Sequence, residues 1–173
     1  MRTEEETAGR RAGVLLGLGL GGFVDGILLH QIAHWHNMGS SVVPPTTLEA
    51  LRLNMRWDGL FHAAVWVCTL AGVYLLHAAA RRRTPLPGAG AFTGLMILGW
   101  GLFNLVEGTI DHLLLGIHHV NETVARGQWK WWDLGFLLGG AAMLAGGWAL
   151  ARAGEAAQDA AMEDVSRAGR SPA

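Results

Sequence analysis

The chain's eight histidines and several carboxylates stand in or beside segments that are otherwise apolar, and their spacing bears directly on chemistry. The densest run, from Asn104 to His119, reads NLVEGTIDHLLLGIHH. An ionisable group inside a membrane costs roughly 2.5–3.5 kcal/mol on insertion scales, so such groups normally face a protein interior and mark function. On a straight α-helix, Glu107, Asp111 and His118 fall within about 40° of one another, and His112 and His119 within about 20°. The run is therefore a polar stripe with two sub-faces.

Other stretches complete it. His30 and His34 lie one turn apart and share a face, as do Asp58 and His62. Asp25 points about 140° away from His30 in a straight helix, so the spacing does not predict that they meet. Helical bundles build metal sites by projecting Glu and His inward at such spacings from facing helices. Imidazole suits iron, copper, zinc and nickel, and carboxylates favour harder ions together with iron and manganese. The candidate metal ligands are His30, His34, His62, Glu107, Asp111, His112, His118 and His119. Asp25, Asp58 and Asp133 are placed to hold imidazoles from behind, which selects the ligating nitrogen. Glu107 and Asp111 are the carboxylates to test as catalytic ligand or general base. This donor set exceeds the needs of one tetrahedral ion, leaving room for two. There is no HExxH motif and no paired ExxH.

Rival chemistries fare worse. A proton path is disfavoured because the polar groups thin out toward the cytoplasmic half. No GxSxG occurs, and the glycines sit in apolar helix rather than before a GK[ST]. A haem held between two histidines would want fewer carboxylates nearby. The bland alternative is a set of buried ion pairs that fix helix register.

The elements that must position these groups follow from composition. The 173 residues are half hydrophobic, with 25 glycines, 8 tryptophans and only 16% charged residues. Apolar segments near 12–33, 59–80, 91–117 and 134–151 are long enough to span a bilayer. The predicted fold is an all-α, polytopic membrane protein: four transmembrane helices in an antiparallel bundle, plus a short interfacial helix in the first outer loop. Its expected parts are a cytoplasmic tail over 1–11, a transmembrane domain over 12–151 and a cytoplasmic C-terminal tail over 152–173. The interfacial helix is expected after Pro44 and Pro45, where Thr46 and Glu49 fit a capping box. Arg10 and Arg11 precede an apolar run without a cleavage-like site, so a retained first span is expected. Cys68 lies within the second span, and a lone cysteine cannot form an intrachain disulfide.

Orientation comes from the arginines and lysine. Arg2, Arg10, Arg11, Arg81, Arg82, Arg83, Arg152, Arg167 and Arg170 lie on one side, and Arg52, Arg56, Arg126 and Lys130 on the other. That imbalance puts both termini in the cytoplasm. Trp35, Trp57, Trp129, Trp131 and Trp132 then fall at the outer ends, as an aromatic belt requires. Seven of the eight histidines share that outer level, His77 being the exception. His36, His118 and His119 are expected to be exposed near the loops. The net charge of −1 and the lack of a basic face give no sign of nucleic acid. The implied partners are the lipid bilayer and either another membrane protein or a second copy of the chain.

The segments GFVDGILLHQIAHWHNM, WDGLFHAAVWVCTLAG and GWGLFNLVEGTIDHLLLGIHHV resemble those of a family of small bacterial four-span membrane proteins classed as a domain of unknown function. The resemblance covers about 12–150. It implies the four-helix membrane fold and a bacterial inner membrane, and places the Asp, His and Glu positions above within the family pattern. It implies no activity. The residues alone point to a transition-metal site (iron, copper or zinc) near the outer face, supporting redox or hydrolytic chemistry. The alternatives are copper or zinc storage, sensing or delivery, or a structural subunit of a membrane complex.

Overall fold

The computed structural model describes residues 4–168, with side chains from residue 7 onward. Arg2 and Arg170, counted above for orientation, lie outside the described residues. Every regular element among the described residues is helical, the longest being α1 Glu4–Val24, α2 Leu48–Arg81, α3 Ala89–Glu107 and α4 Trp129–Ala168. Four spans, Thr7–Ile32, Leu48–Arg81, Ala89–Leu114 and Arg126–Ala168, are long and apolar enough to cross a membrane.

Burial runs opposite to the pattern of a water-soluble domain. Leu60, Trp66, Tyr74, Leu138 and Trp148 are exposed, whereas Asp25, His30, Asp58, Glu107, His112, His118 and Asp133 are buried. Lipid tolerates the first set, and only a protein interior tolerates the second.

Glycines set how the helices meet. A Cβ at Gly17 would fall 2.0 Å from the Met96 carbonyl oxygen, and one at Gly99 would fall 2.1 Å from that of Val14. The backbones of α1 and α3 therefore nearly touch, as small residues permit between membrane helices. The contact register shows α1 and α3 running in the same direction: Gly13 meets Leu95, and Gly21 meets Trp100 and Phe103. Helix α2 runs oppositely along α1, with Gly19 on Thr69 and Gly26 on His62. Helix α4 runs oppositely along α3, with Gly94 on Ala151 and Gly101 on Leu144. The central pair is thus α1 and α3, flanked by α2 and α4 respectively. Among the described residues, the other pairs of these four helices make no close backbone approach.

Two expectations are corrected. The interfacial helix is not a separate element, because residues after Leu48 continue without a break into the second span as one 34-residue helix. Nothing between Leu48 and Arg81 stops it: Gly59 is the first glycine in that stretch, and no proline follows until Pro85. The cap is Thr47, whose hydroxyl accepts from the Ala50 N–H, rather than Thr46. The polar residues from Glu4 to Arg11 belong to α1.

Candidate metal centre

Helices α1 and α3 both change winding at the same level. Asp25–Ile32 and Gly108–Leu114 are π-helical, with carbonyls accepting from residues five positions on rather than four. Such segments are rare and frequent at functional sites. The wider turn stacks residues five apart. His30 Nε2 accordingly lies 3.1 Å from Asp25 Oδ2, and His112 Nε2 lies 2.9 Å from Glu107 Oε1. This overturns the straight-helix reading, which kept Asp25 from His30 and split Glu107 from His112 onto different sub-faces.

Both segments then leave the helix through a left-handed residue, His34 at φ 50° and Gly116 at φ 57°. The chain turns back, and the two exits pair with one another. Ser41 N–H donates to the Ile117 carbonyl and Glu122 N–H to the Trp35 carbonyl, at 3.0 and 2.9 Å. His36 and His118 are thereby carried under the helix ends, where they are 4% and 0% exposed. The expectation that they sit exposed near the loops is wrong for both.

Four histidines now share one buried volume. The His36 and His118 rings stack with centroids 4.5 Å apart and planes at 5°. His30 lies 4.3 Å from His36, and His112 lies 4.8 Å from His118. His36 Nδ1 donates to the Val120 carbonyl at 2.9 Å, and His118 Nδ1 to the Met38 carbonyl at 3.1 Å. A carbonyl only accepts, so both rings carry a proton on Nδ1. His30 Nδ1 lies 3.0 Å from Asp58 Oδ1, and His112 Nδ1 lies 3.5 Å from Asp133 Oδ1.

Nδ1 is hydrogen-bonded to an oxygen in His30, His36 and His118, whereas His112 Nδ1 faces Asp133 without an aligned bond. His118 Nε2 bonds Glu107 Oε1 at 2.8 Å, and Nε2 of the other three is left for another role. That is the arrangement of metal-ligating histidines, whose far nitrogen is held by a carboxylate or a backbone carbonyl. The Nε2 atoms of His30, His36 and His112, Nδ1 of His112 and Oε2 of Glu107 are buried without an aligned hydrogen bond. His112 Nε2 and Glu107 Oε1 are in contact yet not aimed at each other. Donors converging on a third point behave this way.

Two sets have ligand atoms all within 4.8 Å of one another: His30, His36 and His118, and Glu107, His112 and His118. Burial and the neighbouring His118, His30 and His112 push the His36 pKa well below its ordinary value, against the opposing pull of the Val120 carbonyl. The His36 ring is therefore neutral at pH 7, the form that binds metal.

The carboxylates behind the rings are themselves held. Asp58 also accepts from the Met38 N–H at 2.7 Å and from Asn37 Nδ2 at 2.8 Å. Asp133 accepts from the Val120 N–H at 3.1 Å and from His119 Nδ1 at 2.6 Å. Beneath the first loop, Asn54 is fully buried, with Gly39 N–H donating to its Oδ1.

The structure brings together His30, Glu107, His112 and His118 from the expected ligand set, with Asp25, Asp58 and Asp133 beside them. It does not bring in His34, which is exposed at the left-handed turn. His62 lies outside both sets, its Nδ1 on the carbonyl of Asp58 and its ring against Gly26. Asp111 is half-buried and also outside both sets. His119 joins through Asp133 and packs against Trp129. His36 is the member the sequence reading left out. A cleft of about 430 Å³ borders the cluster on one side, with His112, His119, Arg126, Trp129, Lys130 and Asp133 in its lining.

Residues 12–154 match the model of the family described as "Predicted membrane protein (DUF2243)". The chain belongs to the DUF2243 family. Four apolar helices agree with that description, and a member sits in a lipid bilayer. No curated protein and no solved structure matches this DUF2243 chain. Its buried His and carboxylate cluster lies wholly within the matched residues.

Proposed function

We propose that this DUF2243 protein is an inner-membrane metalloprotein, with both termini cytoplasmic and a transition-metal centre near the extracytoplasmic face. The observation that carries the reading is the common orientation of four buried imidazoles. Three have Nδ1 hydrogen-bonded to an oxygen, His112 has Nδ1 3.5 Å from Asp133 without an aligned bond, and three of the four Nε2 atoms lack an aligned partner. A set of purely structural ion pairs would align both nitrogens, because an unsatisfied buried donor or acceptor costs about 1–3 kcal/mol.

Mixed imidazole and carboxylate donors suit iron, copper or zinc. Such an ion supports redox chemistry, or hydrolysis by activated water. Glu107 has one oxygen in contact with two imidazoles and the other without a hydrogen-bond partner, so it is the carboxylate placed to ligate or to move a proton. Burial at 0–4% of His30, His36, His112 and His118 favours a resident centre over copper or zinc delivery, which needs ligands open to exchange. The arginine distribution supports the orientation.

The test is elemental analysis of protein purified in mild detergent, before and after loading with Fe²⁺, Cu²⁺ or Zn²⁺. Near-stoichiometric metal is expected in wild type, and loss of it in Glu107→Gln and His118→Ala, with His77→Ala unchanged. A wild-type protein that retains none of the three ions overturns the reading.

A further inference from the structure

Two stretches of the chain correspond position for position. Asp25-Gly26, His30 and His36 recur at the same spacing as Glu107-Gly108, His112 and His118. Trp57-Asp58 and Phe61 recur as Trp132-Asp133 and Phe136. The contacts repeat with the residues. Ala33 N–H donates to Leu28 O and Leu115 N–H to Ile110 O, and Trp35 N–H donates to Leu29 O and Ile117 N–H to Asp111 O. Met38 and Val120 supply the N–H groups on Asp58 and Asp133, and Phe61 and Phe136 pack on His30 and His112.

Contacts between the halves are reciprocal. His36 bonds to Val120 O while His118 bonds to Met38 O, and Gly17 meets Met96 O while Gly99 meets Val14 O. Contacts within each half also correspond: Gly19 on Thr69 answers Gly101 on Leu144, and Gly72 on Leu16 answers Gly147 on Leu98. Because α1 runs parallel to α3, the relating axis lies along the helices, as in parallel repeats of other membrane proteins.

We infer that the chain is two copies of one hairpin unit, α1–α2 and α3–α4, related by a pseudo-two-fold axis through the stacked His36 and His118 rings, and that each copy supplies one half-site for a transition-metal ion, so the centre holds a pair. This rests on the metal reading above. One ion lies at His30 and His36 with Asp25 beside them, and the other lies at Glu107, His112 and His118. Both compact donor sets contain His118, so the two positions adjoin; His118 offers only Nε2 and serves the second, and Asp25, 3.1 Å from His30 Nε2, takes its place at the first. At the acidic position the half-sites differ by one methylene, Asp25 against Glu107. Glu107 reaches both His112 and His118, at 2.9 and 2.8 Å, whereas Asp25 contacts His30. The second position therefore has the fuller donor set and binds first.

The experiment is titration of metal-free full-length protein in detergent with Co²⁺ alone, followed optically and by elemental analysis. Two ions per chain are expected in two steps, and His30→Ala and His112→Ala are each expected to keep one. Asp25→Glu should draw the weaker step toward the tighter. One ion per wild-type chain overturns the pair and leaves the metal reading standing. No ion at all overturns the metal reading itself. Where an alanine variant does not fold, the wild-type stoichiometry still decides.

Discussion

Replacing Asp58 with Asn separates a carboxylate that tunes a metal ligand from one that merely ties a loop to a helix. Asp58 is 1% exposed and accepts three hydrogen bonds, from Met38 N, His30 Nδ1 and Asn37 Nδ2. An amide keeps the shape, and its oxygen can hold the first two donors. Its NH2 group then faces Asn37, which can reverse its own amide. Geometry is largely retained and the charge is lost. Hydrogen bonds to a charged group contribute about 1.5–3 kcal/mol and neutral ones about 0.5–1.5, so each of the three weakens by about 1 kcal/mol. Thermal unfolding of the metal-free protein should register a loss of up to about 3 kcal/mol. The His30 ring also loses the partner that makes Nε2 a better ligand, and removal of such partners typically costs 10–100-fold in metal affinity. A metal-binding isotherm on the same preparation reads that second effect. If unfolding shifts while affinity at the His30 position stays within about twofold, Asp58 is only a tie, and the argument that Nε2 is a ligand fails. Asp133→Asn should have a smaller effect on His112, because that contact is 3.5 Å against 3.0 Å for His30.

Three further outcomes are expected. Gly17→Ile places a side chain into the Met96 carbonyl and should lower thermal stability in detergent by more than the 1–3 kcal/mol typical of overpacking; Gly59→Ala, with nothing within 4 Å of the new Cβ, should be neutral or stabilising. Gly116→Ala imposes a side chain at φ 57°, at roughly 1–2 kcal/mol, and should reduce metal content because that turn returns His118 to the centre; full metal content would show that the loop re-forms without it. For His36 the folded pKa is depressed below the unfolded value near 6.5, so the unfolded chain binds the extra proton first and stability is lost as pH falls below about 6.5. The slope is at most about 1.4 kcal/mol per pH unit, and metal-free His36→Gln should lose that component in pH-dependent unfolding; an unchanged profile would mean that His36 is not held neutral.

The spans were legible because length and apolarity suffice to define a membrane helix, and the shared level of the histidines followed from topology alone. What could not be read was the winding. Periodicity analysis assumes a constant angle per residue, and the π segments at Asp25–Ile32 and Gly108–Leu114 change it where the ligands sit. His34 looked like the partner of His30 because four residues make one α turn. In the structure His34 is the exit residue, and His36 returns to the ring. The signal that could have found His36 was present in the sequence: Asp-Gly, His and His recur as Glu-Gly, His and His at identical spacing. Reading each span by its own helical periodicity, rather than against the other spans, obscured that pairing, and the Asp-to-Glu change hid it further.

Charge balance ties these features together. Asp25, Asp58, Glu107 and Asp133 are buried, and no lysine or arginine is among the buried described residues. Four carboxylates cannot remain ionised in a membrane interior without compensation, because desolvation of an unpaired charge costs several kcal/mol per ion. The imidazoles beside them, His119 on Asp133 included, could supply that compensation only by taking up protons, and His36 stays neutral among the other rings. Two divalent cations would balance four carboxylates while leaving every imidazole neutral and free to ligate through Nε2. The same requirement predicts proton release when the metal-free protein is loaded, since protons that stand in for the ions must leave as they enter. A pH-indicator titration in weak buffer should show release in step with Co²⁺ uptake. Uptake without release would mean that the metal-free centre is not neutralised by protons, and the charge argument for a pair would fall with it.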